Sequence, residues 1–227
     1  MGLISENLVL KSVYFSLLIQ IVSGFIQLYA ISFTIPMKYN IVSDVLKLET
    51  FVQFIEAAFY SWLAYGIYKL KDVTSKRYFD WMITTPIMLI STAAYLHFLN
   101  NKEKNKELKF KKFLVDYKDV LGKIFIFNAL MLLFGYLAET KVISYLISIP
   151  VGFIFFFYTF HLLHDNFAQF TEEGMKLFIF MFTIWSLYGV VSVFSTNLKN
   201  LCYNILDIIS KNFYGLFLFY KLWQIKL

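Results

Sequence analysis

Residues 77–86 read RYFDWMITTP, and they set Arg77 and Asp80 beside a run otherwise apolar enough to lie in lipid. A charge in that setting is costly, and as a rule it has a partner and a function. Arg77, Asp80 and Thr84 fall at i, i+3 and i+7, which is one face of a helix. Near the other end, residues 205–213 read ILDIISKNF and place Asp207 and Lys211 in a second apolar segment. That segment is the candidate partner for Asp80.

The rest of the chain has the composition of a membrane protein. Of 227 residues, 59% are hydrophobic and 21% aromatic, and the mean hydropathy is +0.63. A soluble domain of this length does not need so much apolar surface. A membrane helix takes about 20 apolar residues. Seven of them with short loops use nearly the whole chain, so residues 1–227 are expected to form a single domain. No charged n-region with a short apolar core and a small-residue cleavage site opens the chain, so no removable signal is expected. The lone Cys202 excludes an intramolecular disulfide and a cysteine metal site. The net charge of +6 is assigned to basic loops beside a membrane and not to nucleic-acid binding.

Hydropathy predicts spans at 8–35, 46–69, 77–99, 120–138, 142–163, 175–196 and 201–223, an all-α seven-transmembrane-helix bundle. The one long polar loop, NNKEKNKELKFKKFLVDYKD, separates the third and fourth. With that loop inside the cell, thirteen basic residues fall on the cytoplasmic side and seven outside, with Lys211 in mid-membrane. That bias places the N-terminus outside.

Three spans carry polar side chains at helical spacing. Besides Arg77, Asp80 and Thr84, they are Glu49, Gln53 and Glu56 on the second, and Asn204, Asp207 and Lys211 on the seventh. A single Asn or Gln can serve as glue between helices. Three acid-bearing faces and a buried lysine are instead expected to converge on an interior site or water path. An ammonium in mid-membrane must pair, lose its proton or be consumed chemically. Asp207 lies one turn from Lys211, about 6 Å by helix rise. One cation facing Asp80 and Asp207 suits a protonated imine on Lys211, because lysine forms Schiff bases with carbonyl compounds. The competing expectation is a structural Lys–Asp salt bridge.

RYFDWMITTP and LDIISKNFYGL (206–216) resemble the third and seventh helices of microbial (type 1) rhodopsins. TIWSLYG (183–189), on the sixth span, resembles the stretch of that family that packs on the retinal ring. The resemblance implies all-trans retinal bound to Lys211 as a protonated Schiff base. Its counterions would be Asp80 and Asp207, with Asp80 the proton acceptor. Arg77 would order water and tune both acids, and Thr84 would hydrogen-bond the Asp80 carboxylate. Trp81, Thr85, Met88, Trp185 and Tyr188 would form the pocket walls.

Departures from the family pattern bear on mechanism. Eleven residues after Asp80, where outward proton pumps carry a carboxyl donor, stands Ser91, and the donor is lost. The start of the seventh span reads STNLKNL, with Lys199 and no release acid. Gly189 replaces a usual proline and Ser192 a usual tryptophan, which predicts a looser pocket and a straighter sixth helix.

Glu49 and Glu56 with Gln53 between them resemble the acid-lined second helix of channelrhodopsins. Together with the pattern N-x-x-D-x-x-S-K from Asn204 to Lys211, they are most similar to group 1 viral rhodopsins, which are light-gated cation channels. Ser16 on the first helix is expected to join this lining. The competing expectation for Glu49 is a solvated carboxylate at the membrane boundary.

The function expected is thus a photoreceptor and not an enzyme: a light-gated channel for protons, sodium and, with several carboxylates, calcium. The alternatives are an outward proton pump without a carboxyl donor, and a sensor with a separate partner. The chain ends at Leu227, just past the seventh span, so no fused output domain is expected. The resemblance implies a multi-pass protein of the lipid bilayer, in a host-cell membrane if viral, and a homo-oligomer. His97, His161 and His164 fall at cytoplasmic span ends, where a titrating role is open but an interfacial position is the usual one.

Overall fold

A computed structural model describes residues 5–66, 73–104 and 107–227. The first three spans are α1 (Glu6–Ile31), α2 (Asn40–Gly66) and α3 (Val73–Asn101). A short α4 (Phe110–Asp116) precedes the fourth span, α5 (Lys118–Glu139). The fifth is α6 (Tyr145–Leu163), continued by a π turn at His164–Ala168, and the sixth is α7 (Glu172–Val191). The seventh consists of α8 (Thr196–Asp207), a π turn at Ile208–Asn212 and α9 (Phe213–Trp223).

Neighbours in sequence pack side by side, and α1 closes the ring against α8 and α9. The result is the seven-helix bundle expected. Helix α3 is its most enclosed member, with 67% of its most apolar window buried, against 22–33% for the other four apolar spans. Asp80 and Arg77 therefore lie on the helix best shielded from lipid.

Five described helices are long and apolar enough to cross a membrane by composition alone. The second and seventh spans are not among them. Glu49, Gln53 and Glu56 lower the apolarity of α2, and the π turn divides the seventh span into two short helices. These two spans carry several of the polar groups buried in the interior, among them Glu49, Glu56, Asp207 and Lys211.

Helix α1 shows how lipid inverts the pattern of a soluble helix. Its large apolar side chains, among them Phe15, Leu18, Val22 and Phe25, point outward. Ser16, Gln20, Ser23 and Gln27 are buried on the opposite face. With hydrocarbon as solvent, apolar groups need no shelter, and polar groups must be satisfied inside the protein.

The predicted spans hold in order and number, and their ends move. Helix α2 begins six residues earlier than hydropathy suggests and α8 five residues earlier. Hydropathy detects only the apolar length, whereas backbone hydrogen bonding carries each helix into polar turns. The first span stops at Ile31, short of Pro36. Part of the lysine-rich loop is helical, because Phe113 of α4 is buried against His97, Tyr117 and Phe167. Lys69, Lys71 and Lys106, counted in the charge bias, lie outside the described residues, as does the predicted end of the second span at 69.

Gly135 marks a close approach of α5 to α3. A Cβ there would lie 2.7 Å from the Tyr78 hydroxyl and 2.8 Å from its ring. Gly135→Ala is therefore expected to cost about 1–3 kcal/mol through overpacking. Thermal melting in detergent measures it, and an unchanged midpoint would contradict this packing.

Candidate functional site

Lys211 lies in the π turn of the seventh span, 3% exposed. Such turns insert one extra residue into a helix and recur at functional sites. The Lys211 amino nitrogen lies 3.1 Å from Asp80 Oδ2 of α3 and 3.5 Å from Asp207 Oδ1. It also contacts Glu56 Oε1 of α2. Sequence reasoning brought two carboxylates to this nitrogen and the structure brings three. Glu56, expected in an ion path, also faces the lysine.

The two aspartates differ in their bonding. Asp207 accepts hydrogen bonds from the Tyr60 hydroxyl at 2.7 Å and the Tyr188 hydroxyl at 2.8 Å, and its Oδ2 pairs with Arg77 Nη1 at 3.1 Å. Asp80 Oδ1 has no hydrogen-bond partner among the described residues. Thr84 was expected to bind that carboxylate. Its hydroxyl instead donates to the Asp80 backbone carbonyl at 3.0 Å, one turn back in its own helix. This satisfies the hydroxyl locally and leaves the carboxylate free on that side.

Arg77 is fully buried and ties the site to the N-terminal end of the bundle. Its Nε donates to Asn200 Oδ1 at 3.2 Å and its Nη1 to the Tyr60 hydroxyl at 3.3 Å, and Nη2 contacts Asn204 Oδ1. Arg77 thus binds Asp207 directly, and none of its described hydrogen bonds goes to Asp80. Asn204 also donates to the Ser12 hydroxyl at 2.7 Å, and the Ser16 hydroxyl reaches the Asn204 carbonyl at 3.3 Å.

Toward the lysine-rich loop, the seam between α1, α2 and the seventh span is filled with amides. Gln53 contacts Gln20, and Asn212 Nδ2 donates to Gln20 Oε1 at 3.0 Å, to Gln53 Oε1 at 3.1 Å and to the Ser23 hydroxyl at 2.6 Å. Gln27 and Thr50 extend the cluster. Gly215 lies beside it, where a Cβ would displace the Gln27 amide. Glu49 is only 2% exposed and contacts the Ser91 hydroxyl, so it is not the solvated boundary carboxylate of the competing expectation.

A cavity opens beside Lys211. Its empty space, mouth included, is about 880 Å³, within the few hundred to about 1,000 Å³ common for small-molecule sites. Trp81, Thr85, Met88, Trp185 and Tyr188 all line it, with Met131, Gly152 and Phe153. Thr85 accepts a hydrogen bond from Asn128 Nδ2 at 2.8 Å. Ser192 lines the wall as expected, but the space above Gly189 is not empty. The Phe153 ring packs there, within 2.7 Å of where a Cβ would stand.

Sequence reasoning missed Tyr60, Gln20, Ser23, Gln27, Asn200, Asn212 and Glu139. The signal for several was present. Tyr60 continues the Glu49–Gln53–Glu56 face at i+11, and Ser16, Gln20, Ser23 and Gln27 follow the same spacing on α1. The start of the seventh span does meet an acid, since Lys199 pairs with Glu139 of α5 at 2.9 Å. His161 and His164 lie beside Asp165 at the surface.

The sequence model of a family described as bacteriorhodopsin-like protein matches residues 11–225. Among solved structures, the viral rhodopsin OLPVRII is 28% identical and superposes with a TM-score of 0.84, covering 97% of this chain and 100% of its own. The rhodopsin of Exiguobacterium sibiricum (17% identity, TM-score 0.76, 99% and 100% covered) shares the fold. So does the light-driven proton pump of Coccomyxa subellipsoidea (18%, 0.72, 96% and 97%). No curated protein matches the chain in sequence.

Removing the carboxylate from Asp207 strands the buried Arg77. Asp207→Asn is expected to cost about 3–5 kcal/mol, the usual penalty for halving a buried ion pair. Thermal unfolding of the retinal-free protein measures this, and a loss below about 1 kcal/mol would show that Asn200, Asn204 and Tyr60 suffice for the guanidinium.

Proposed function

The chain belongs to the bacteriorhodopsin-like protein family, and on that premise we propose that it is a retinal photoreceptor acting as a light-gated cation channel. The family binds retinal, and the residues present fit it. An apolar, aromatic-walled cavity ends at a buried primary amine with carboxylates around it. Trp81, Thr85, Met88, Trp185 and Tyr188 would hold the chromophore, and Lys211 would bind it covalently. Bound as an imine on Lys211, all-trans retinal supplies light absorption and the isomerisation that starts the cycle.

The side chains divide the remaining work. Asp207, engaged by Arg77, Tyr60 and Tyr188, serves as the fixed counterion. Asp80, with Oδ2 facing the Lys211 nitrogen and Oδ1 free, takes the proton from that nitrogen. The transfer neutralises the charge pair joining α3 to the seventh span, and their attraction relaxes. Arg77 holds the N-terminal side closed through Asn200, Asn204 and Tyr60 until Asp207 is disturbed.

One observation carries the channel reading. A buried polar seam runs between α1, α2 and the seventh span, from Ser16 and Asn204 past Glu56 to Gln20, Gln53 and Asn212. Once wetted, carboxylate and amide oxygens replace the hydration of a cation, and the negative charge excludes anions. Protons, sodium and calcium are the proposed permeant ions. The basic bias of the long loop supports an N-terminus outside the cell.

A second reading, an outward proton pump, draws support from Glu49. The serine at the donor position does not stand alone, because a carboxyl from α2 contacts it. Photocurrents under voltage clamp separate the two. A channel current reverses with the cation gradient, and a pump current stays outward. Glu56→Gln is expected to reduce a gradient-driven current about tenfold, by removing the charge midway along the seam. An unchanged current and selectivity would exclude this pore. Lys211→Ala is expected to abolish visible colour, and colour persisting without an added amine would refute the attachment site.

A further inference from the structure

A second, largely shielded ion pair lies apart from the Lys211 site. Lys199 Nζ, in the first turn of α8, lies 3.1 and 2.9 Å from the two carboxylate oxygens of Glu139, the last residue of α5. The hydroxyl of Tyr145, the first residue of α6, donates to Glu139 Oε2 at 2.7 Å and lies 3.2 Å from Lys199 Nζ. The Lys199 side chain is 6% exposed and that of Glu139 13%. The turn joining α5 to α6 contains Lys141 at φ 63°, in the left-handed region that non-glycine residues rarely occupy. Its backbone bends sharply enough for Glu139 and Tyr145 to meet.

The position of this cluster suggests its use. Tyr145 lines the cavity, as do Ala138 beside Glu139 and Tyr203 one turn beyond Lys199. The cavity therefore extends from Lys211 to the ring of Tyr145. Along the seventh span, Lys199 is twelve residues from Lys211, about 18 Å by helix rise. The three groups come from three helices, so they can part without any helix unfolding. Apolar side chains would fill this rim at least as stably as a buried ion pair. An ion pair differs in that it can part and re-form as a unit when water reaches it.

We propose that Glu139, Lys199 and Tyr145 form a seal on the rim of the chromophore cavity, controlling the passage of retinal and water to Lys211. They are positioning residues, since none touches the Lys211 nitrogen. The proposal rests on retinal binding at Lys211, and it holds for a channel or a pump alike.

The test uses the full chain in lipid membranes, as the parent protein, Glu139→Gln, Tyr145→Phe, and the exchange Glu139→Lys with Lys199→Glu. Three rates are read: colour formation on adding all-trans retinal, dark bleaching by hydroxylamine, and amide hydrogen exchange of residues 139–145 in retinal-free protein. Glu139→Gln is expected to speed all three about tenfold, less than for a fully buried pair because Glu139 is partly exposed. Tyr145→Phe, which keeps the ring, is expected to speed them about threefold by removing one hydrogen bond. The exchange is expected to return each rate to within about twofold of the parent. Rates unchanged in both single variants would overturn the seal. A colourless parent would instead refute retinal binding, and the exchange rate of residues 139–145 would still report on the seal.

Discussion

An amine enclosed by helices in a membrane gains almost nothing from water, so its surroundings must supply what solvation would. At Lys211 the supply comes from three helices: Glu56 on α2, Asp80 on α3 and Asp207 on its own span. Three carboxylates around one nitrogen exceed what neutralises a single charge. Asp207 is bound by Arg77 and two tyrosine hydroxyls, which leaves Asp80 and Glu56 with fewer fixed partners. The site is held together by charge and biased by hydrogen bonding, so that the acids around one cation are not equivalent.

Much of the bundle answers to this constraint. The lysine sits in a π turn that costs its span regular hydrogen bonding, and α2 gives up hydrophobicity to bring Glu56 into the interior. The polar stripe of α1 lies against both and screens them from lipid. The α5–α6–α7 side is more apolar, and there the cavity is walled by aromatic rings and close glycine contacts. The bundle thus has a polar half formed by α1, α2 and the seventh span, and a greasy half suited to a hydrophobic chromophore, with α3 between them.

What the sequence revealed follows from the range over which each signal acts. Helix count and order were legible because lipid imposes a length and a composition on every span. Lys211, Asp80, Asp207 and Arg77 stood out because charges are rare in such runs, and Trp81, Thr85, Met88, Trp185 and Tyr188 because motifs mark them. Tyr60 escaped because a tyrosine in a membrane span attracts no notice, although it shares a face with Glu56. The Glu139–Lys199 pair escaped for another reason. Its partners lie sixty residues apart at the ends of two spans, where a charge looks like an ordinary boundary residue. The bond chosen by Thr84 was also illegible, since its own helix offers a carbonyl at the same reach as the carboxylate.

Lys211 and Asn212 are consecutive residues whose side chains are committed to different partners. The first points into the carboxylates of α2 and α3, and the second into the amides of α1 and α2. Because one peptide unit joins them, a rotation of the backbone that withdraws the amine must also swing the amide. The local winding of this span therefore joins two compartments through a single peptide unit. A turn of this backbone that disturbs the charged compartment would thus reach the neutral one with no chain of intermediate contacts.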